Sequence, residues 1–388
     1  MAAAPPPPHE LVDDVISEIL LRLPPDEPQW LFRAALVCKP WLRTLSDPAF
    51  LRRYRDFHGA PPLLGLIDGE REIDTGQGPR FVPTTAVPAL PIPESDAPFA
   101  FPWPFDCRHG RVLIRDLENM GEDFHVCDPV TGDRHCVPQP EFEIHWKGYN
   151  ATAVFCAAAG CHHLDCRGGP FCVVIMFTDD HSETTMSAAM YSSELGAWRA
   201  PVTLDTAPDP EHHRGHVVYH RGPLIGDEIY FALPPAATIV KYDSANNFLA
   251  VVKPKPPTMD GDFVLMVMED GSLGFAAIED SRLHLWSIRV SSEGTAEWVR
   301  CRVIDLEKMI TMAYASVEEK TIMAYASVSG FAEGVGVIFI STCVGSFMME
   351  LKSERVRKVD TSVFLLPHFL SYMSFYTPDR LLGAPADL

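Results

Sequence analysis

The densest run of chemically capable side chains is Cys156-Ala-Ala-Ala-Gly-Cys-His-His-Leu-Asp-Cys-Arg-Gly-Gly-Pro-Phe-Cys172, four cysteines and two histidines in 17 residues. Thiolates and imidazoles together make tetrahedral zinc sites. The paired short spacing of common structural sites is missing, however, and Cys156 and Cys172 stand in strand-like runs, where a cysteine behaves as a small apolar residue. The sequence therefore predicts no metal. Were one held, its ligands would be Cys161, His163 and Cys166, in a loop that otherwise simply turns at Gly168-Gly169-Pro170. A second group, His212, His213, His216 and His220, has helical spacing at His212 and His216, but Pro208, Pro210 and Gly215 oppose a helix there. It reads as a solvated loop. Paired carboxylates at Asp260 and Asp262, and at Glu279 and Asp280, suit acid–base chemistry only if folding brings two into one cleft; turn and surface roles account for them. The chain has no Gly-x-Ser-x-Gly elbow, phosphate loop, His-Glu-x-x-His pair or dinucleotide fingerprint. No nucleophile and no cofactor are expected.

Composition narrows the partners. Thirty-two Lys and Arg against 52 Asp and Glu leave a net charge of −20, which repels phosphate backbones and anionic lipid headgroups. Neither nucleic acid nor a membrane is expected as a partner. No run approaches the roughly 18 apolar residues of a membrane span. The best candidate, Gly334 to Met349, is bracketed by Glu333 and Glu350 and reads as a strand pair. Ten cysteines without a Cys-x-x-Cys pair, behind a start lacking the features of a secretory signal, point to reduced thiols and a cytoplasmic or nuclear location. With 47% apolar residues the chain can bury a sizeable core.

The elements that must position these residues change character along the chain. A proline-rich start, residues 1–8, is expected to be disordered. Residues 9–58 carry helical patterns. Val12, Val15, Ile16, Ile19, Leu20 and Leu23 mark one helix face, stopped by Pro24-Pro25. A second helix is predicted from Trp30 to Cys38, ending before Pro40. A third follows the cap Ser46-Asp47-Pro48 and presents Phe50, Leu51, Tyr54, Phe57 and His58. So much apolar surface on so small a unit must dock on something, either the rest of this chain or a partner.

From residue 59 to 388, runs rich in Val, Ile, Phe and Tyr alternate with turns, an all-β pattern. Five hairpin turns, centred near 131, 195, 245, 293 and 353, are spaced by 64, 50, 48 and 60 residues, close to the roughly 40–50 of a four-stranded propeller blade. The longest interval holds the cysteine-rich stretch. The last contains an 11-residue duplication within 312–328, Met312-Ala-Tyr-Ala-Ser-Val317 repeated as Met323-Ala-Tyr-Ala-Ser-Val328, which reads as a loop insertion. Leu63–Ile67 with Phe81 and Val82 at one end, and Val363–Leu366 with Met373–Tyr376 at the other, supply a sixth blade that closes the ring and removes free sheet edges. The alternative is another β-repeat or a sandwich. Trp146, Trp198, Trp286 and Trp298 read as blade-packing residues.

Leu11-Val-Asp-Asp-Val-Ile-Ser-Glu-Ile-Leu-Leu-Arg-Leu-Pro24, then Ala35-Leu-Val-Cys-Lys-Pro-Trp41, then Ser46-Asp-Pro-Ala-Phe-Leu51 resembles the F-box, with its three blocks in order. The β region resembles the propeller-like C-terminal part of grass F-box proteins, most closely at Gly336–Phe347 and Met373–Pro378. The resemblance implies an α+β multidomain chain, a three-helix F-box followed by a kelch-like six-bladed propeller. It further implies a Skp-type adaptor as partner and, through it, cullin and RING subunits of an SCF-type ubiquitin ligase. Carried over position by position, the adaptor-binding residues are Leu11, Val15, Ile16, Ile19, Leu20, Leu23, Leu36, Val37 and Trp41, with Pro24 shaping the bend. Val12 stands where the family usually has proline, and Pro40 where it usually has a polar or basic residue. From Trp30 to His58, Arg33, Lys39, Arg43, Arg52, Arg53 and Arg55 outnumber Asp47 and Asp56, a charge suited to an acidic adaptor. The propeller would hold an unidentified target protein, with a basic patch to match the −19 carried by residues 59–388. The alternatives are an F-box scaffold acting outside ubiquitination and, further off, a propeller enzyme with a helical cap.

Overall fold

A computed structural model describes residues 13–68, 79–88, 90, 102–116, 124–142, 144, 150–166, 168–179, 182–205, 221–233, 238–252, 263–290, 295–307, 326–342, 345–359 and 369–379. Four helices open the described chain: α1 (Asp13–Leu21), α2 (Gln29–Ala35), α3 (Lys39–Ser46) and α4 (Pro48–His58). The sequence predicted three. The difference lies at Pro40, read as the stop of the second helix; in fact α2 ends at Ala35, and Pro40 occupies the first turn of α3, where its missing N–H costs nothing. The predicted cap of α4 is present. The Asp47 carboxylate accepts from the Ala49 N–H at 2.9 Å, Pro48 follows, and Gly59 ends the helix at φ 72°, a left-handed conformation that glycine adopts without a Cβ penalty.

The β region begins with β1 (Leu63–Asp68) and β2 (Arg80–Pro83). A first four-stranded set comprises β3 (Pro102–Arg108), β4 (Arg111–Asp116), β5 (Phe124–Cys127) and β6 (Arg134–Val137). A second comprises β7 (Asn150–Cys156), β8 (Phe171–Asp179), β9 (Ser182–Ser192), β10 (Ala197–Trp198) and β11 (Val202–Asp205). The third is β12 (Leu224–Ile225), β13 (Glu228–Leu233), β14 (Thr238–Asp243) and β15 (Phe248–Val251). The fourth is β16 (Phe263–Val267), β17 (Leu273–Glu279), β18 (Arg282–Val290) and β19 (Ala296–Asp305). The fifth is β20 (Ser327–Ala332), β21 (Val337–Thr342), β22 (Gly345–Glu350) and β23 (Val356–Val359), and β24 (Phe369–Met373) comes last.

Each set pairs antiparallel in chain order, except that β11 pairs with β9 rather than β10, and β24 joins β1 and β2 in a sixth sheet with Ile67 opposite Leu370. This is a six-bladed propeller closed by its first and last strands. Closure is also visible in the packing, because every pair of neighbouring sheets shares an apolar cluster. Phe81, Ile114 and Tyr372 join the closing sheet to the first set, and Val126, Val173 and Tyr191 join the first to the second. Met190 and Phe231 continue to the third, Tyr230 and Phe275 to the fourth, Ile304 and Phe347 to the fifth, and Phe339 and Leu66 return to the closing sheet. All five predicted turns fall between the third and fourth strands of their blades, the same place in each repeat. The duplicated segment is less loop-like than predicted. Its first copy lies outside the described residues, but Ser327 and Val328 of the second open β20, with Val328 buried. Residues 1–12, Val363–Leu366, Trp146, the 212–220 histidines, and Asp260 and Asp262 also lie outside the described residues.

Charged side chains stitch the blades together inside the ring. The Asp106 carboxylate, fully buried, lies 3.2 Å from the Arg221 guanidinium and accepts from the Val154 N–H at 2.8 Å. Arg221 also reaches Glu333 at 3.2 Å and donates to Ser371 at 3.0 Å. Arg108, 2% exposed, lies 3.6 Å from Glu333 and donates to the Gly222 carbonyl. Burial opposes the Arg221 charge, but Glu333 and Asp106 outweigh it and hold the guanidinium above its ordinary pKa.

Candidate functional site

The four helices close on a core of Leu20, Leu21, Leu31, Leu45, Phe50, Leu51 and Tyr54. Tyr54 donates to the Leu23 carbonyl at 2.7 Å and its phenol pKa is pushed up by burial, while a His58 ring nitrogen lies 3.0 Å from the Leu21 carbonyl; both contacts tie α4 to the end of α1. The same core receives Phe375 from the residues after β24, its ring 6.1 Å from that of Tyr54 and edge-on, and Leu164 from the loop after β7. Phe32 packs on Tyr376 at 5.2 Å. Arg55, buried on α4, pairs with Asp165 of that loop at 2.8 Å. The helical block therefore docks part of its apolar surface on the propeller.

A second apolar set stays open. Val15 and Ile19, one turn apart on α1, are 42% and 46% exposed, and Leu36 and Val37, between α2 and α3, are 86% and 62% exposed. Ile16, Leu23, Pro24 and Trp41 are half-buried at its margin. These are the positions that the F-box resemblance assigns to adaptor contact, with two differences. Leu20 is 1% exposed and belongs to the internal core, because α1 turns it toward α4 rather than outward. Leu11 lies outside the described residues. The basic set is also smaller than its count. Arg55 is consumed by Asp165 and Arg53 by Glu18 at 2.8 Å, which leaves Arg33, Lys39, Arg43 and Arg52 exposed.

The loop between β7 and β8 is the other site with chemical potential. Cys161 and Cys166 place their Sγ atoms 3.7 Å apart, and Cys166 Sγ lies 3.6 Å from His163 Nδ1. Cys156, at the end of β7, turns its thiol into the same group, so that the four ligand atoms all lie within 4.8 Å of one another. The strand-like run predicts a core place for Cys156 as for Cys172, but only Cys172 joins the apolar cluster. Strand alternation locates a residue on β7 but not the direction taken by the last residue, where the loop folds back. Hydrogen bonding with Cys166 holds the Cys156 thiol well below its ordinary pKa and raises that of Cys166. His109 stacks on His163 at 4.1 Å, accepts from the Cys156 N–H at 3.1 Å, and is kept neutral by burial, which lowers its pKa to about 2. Arg111 donates to the carbonyls of Cys166 and Gly169. Glu279 and Asp280, by contrast, sit at the exposed β17–β18 turn, Asp280 at φ 48°. Trp286 stacks on Phe275 within its blade at 5.9 Å, whereas Trp198 packs on Tyr191 of its own blade and also on Phe142, donating to the Pro138 carbonyl at 2.7 Å beyond the preceding blade.

Two known families match the chain. The F-box domain matches residues 9–53, and the family described as "F-box protein AT5G49610-like, beta-propeller" matches residues 105–363. The chain belongs to this F-box propeller family. No individual curated protein matches it. Among solved structures, TolB from Acinetobacter baumannii is similar at 11% identity and a TM-score of 0.41, over 82% of this chain and 68% of that one. A chain of a nidogen/laminin complex is similar at 10% identity and a TM-score of 0.38, over 76% and 92%. The AtxE2 isopeptidase in its apo form follows at 11% identity and a TM-score of 0.31, over 79% and 55%. The chain thus joins an F-box to a β-propeller, and among the described residues no helix is long and apolar enough to cross a membrane.

Proposed function

We propose that this chain is the substrate-recognition subunit of an SCF-type ubiquitin ligase: the F-box holds a Skp-type adaptor, linked in turn to cullin and RING subunits, and the propeller holds the target. The observation that carries the reading is the division of the helical block's apolar surface. One part is sealed by Phe375 and Leu164, while Val15, Ile19, Leu36 and Val37 stay open where the F-box pattern needs contacts. An exposed set of this kind, rimmed by basic side chains, fits an acidic adaptor. The subunit contributes no nucleophile. It raises the effective concentration of a target lysine near a charged conjugating enzyme, which is catalysis by proximity.

The target has a basic patch in this reading, because residues 59–388 carry −19. Loops at one rim of the propeller make the contact, as loops on rigid scaffolds commonly do. A cytoplasmic or nuclear location and a grass-type lineage belong to the same proposal, the latter resting on Gly336–Phe347 and Met373–Pro378. The test is turnover. In cells carrying the wild type or an Ile19→Asp/Leu36→Asp variant, proteins captured by the propeller should accumulate, with longer half-lives, only in the variant. Captured partners with unchanged half-lives and no ubiquitin conjugates would favour a scaffold acting outside ubiquitination.

A further inference from the structure

Four potential ligand atoms converge at the seam between the propeller and α4. Zinc–sulfur bonds of about 2.3 Å and zinc–nitrogen bonds of about 2.0–2.1 Å at the tetrahedral angle require S···S near 3.8 Å and S···N near 3.6 Å. The Cys161–Cys166 and Cys166–His163 separations are 3.7 and 3.6 Å. A disulfide would need about 2.05 Å between sulfurs, and all four ligands fall within 11 residues as Cys-x4-Cys-x-His-x2-Cys. Two thiols already accept backbone N–H groups, Cys156 from Ala158 at 3.5 Å and Cys161 from His163 at 3.4 Å, so the loop backbone folds around the sulfurs and orients them. His163 adopts φ 57°, a left-handed conformation costly for a residue with a Cβ, and in doing so turns its ring toward Cys166.

We propose that Cys156, Cys161, His163 and Cys166 bind one Zn²⁺ as a closed structural site that fixes the β7–β8 loop against the F-box. Four protein ligands leave no open position, which separates a structural from a catalytic zinc, and three thiolates with one imidazole in a tetrahedral arrangement select zinc over the hard divalent ions. His109 and Arg111 form the supporting layer, one stacked on a ligand and the other bonded to a ligand's carbonyl. The consequence is mechanical. The residues between His163 and Cys166 are Leu164 and Asp165, which enter the F-box core and pair with Arg55. A groove of about 490 Å³ between α4 and this loop, lined by Arg52, Asp56 and His162 among others, borders the site. Metal binding would thus set how firmly the F-box is held on the propeller, whether or not the F-box binds an adaptor.

The test uses the full chain purified under reducing conditions. Elemental analysis should find one zinc per chain, and cobalt exchanged for it should show the thiolate charge-transfer and visible bands of a tetrahedral site. Cys161→Ser, at a half-exposed position, and His163→Ala should each weaken zinc at least roughly 10–100-fold, the loss that even a supporting residue outside the ligand set causes. Cys172→Ser, in the neighbouring apolar core, should retain zinc, and circular dichroism checks that all three fold. Chelation should raise hydrogen exchange at residues 157–166 and along α4. Folded wild type with free thiols and no zinc, even after zinc is added, would overturn the site, as would a Cys161–Cys166 disulfide in the reduced preparation. Bound zinc whose removal leaves exchange along α4 unchanged would overturn the clamp.

Discussion

The buried charges that join the blades can be tested by removing one of them. Asp106→Asn keeps the side chain's shape and one carbonyl to accept the Val154 N–H, but it leaves Arg108 and Arg221 facing only Glu333. Three of these four groups are deeply buried, with side chains of Asp106, Arg108 and Arg221 at 0%, 1% and 14% exposure, so water screens the change poorly. Breaking a buried pair from one side costs about 3–5 kcal/mol. With an unfolding entropy of about 2.1 cal/mol/K per residue over the 330 residues from 59 to 388, that cost corresponds to a fall in Tm of about 4–7 °C. Scanning calorimetry of the wild type and variant measures it. Arg221→Met added to Asp106→Asn should recover part of the loss, since contacting groups couple by about 0.5–3 kcal/mol. A Tm within about 1 °C of wild type for Asp106→Asn, or strictly additive losses in the pair, would refute the claim that these charges act as one unit.

Phe375→Ala should open a cavity between Tyr54 and the propeller, cost about 3–5 kcal/mol, and speed proteolysis between α4 and β1, read on a gel time course. Stability should also fall above pH 10. Burial raises the pKa of Tyr242 to about 12 and that of Tyr54 higher, so the unfolded chain loses these protons first, and each such tyrosine costs about 1.4 kcal/mol per pH unit until its folded pKa is reached. Denaturant melts from pH 9 to 12 should show this slope, and Tyr242→Phe should flatten it.

Much of the propeller was legible because a repeat writes the same turn chemistry once per blade. Asp128, Asp243 and Glu350 all stand at the third-to-fourth-strand turns that fixed the count. Closure by the two chain ends was legible, but the last strand runs Phe369–Met373, ahead of the Met373–Tyr376 run that the sequence suggested, whose Phe375 and Tyr376 pack on the helices instead. What the sequence hid were matters of direction rather than type. Pro40 is equally able to stop one helix or start the next, and only the turn before it decides. Leu20 belongs to the same broad apolar stripe but stands about 100° around α1 from Ile19, on the edge that faces inward once α4 packs, and Cys156 ends a strand at the point where alternation no longer predicts the side chain's direction. The buried charges left no local trace at all, since Asp106, Arg221 and Glu333 meet only when the ring closes.

The central claim is that Val15, Ile19, Leu36 and Val37 form a surface for a Skp-type adaptor, and its most direct measurement is titration of purified chain with purified adaptor. Wild type should bind one to one. Ile19→Asp/Leu36→Asp should lose at least about 2 kcal/mol, roughly 30-fold in Kd, with an unchanged Tm, because both side chains are exposed in the free chain. Leu20→Asp should instead lower Tm, since Leu20 lies in the core. Folded wild type that binds no adaptor, or a double variant that binds as tightly as wild type, would contradict the account and leave the helices as a cap on the propeller.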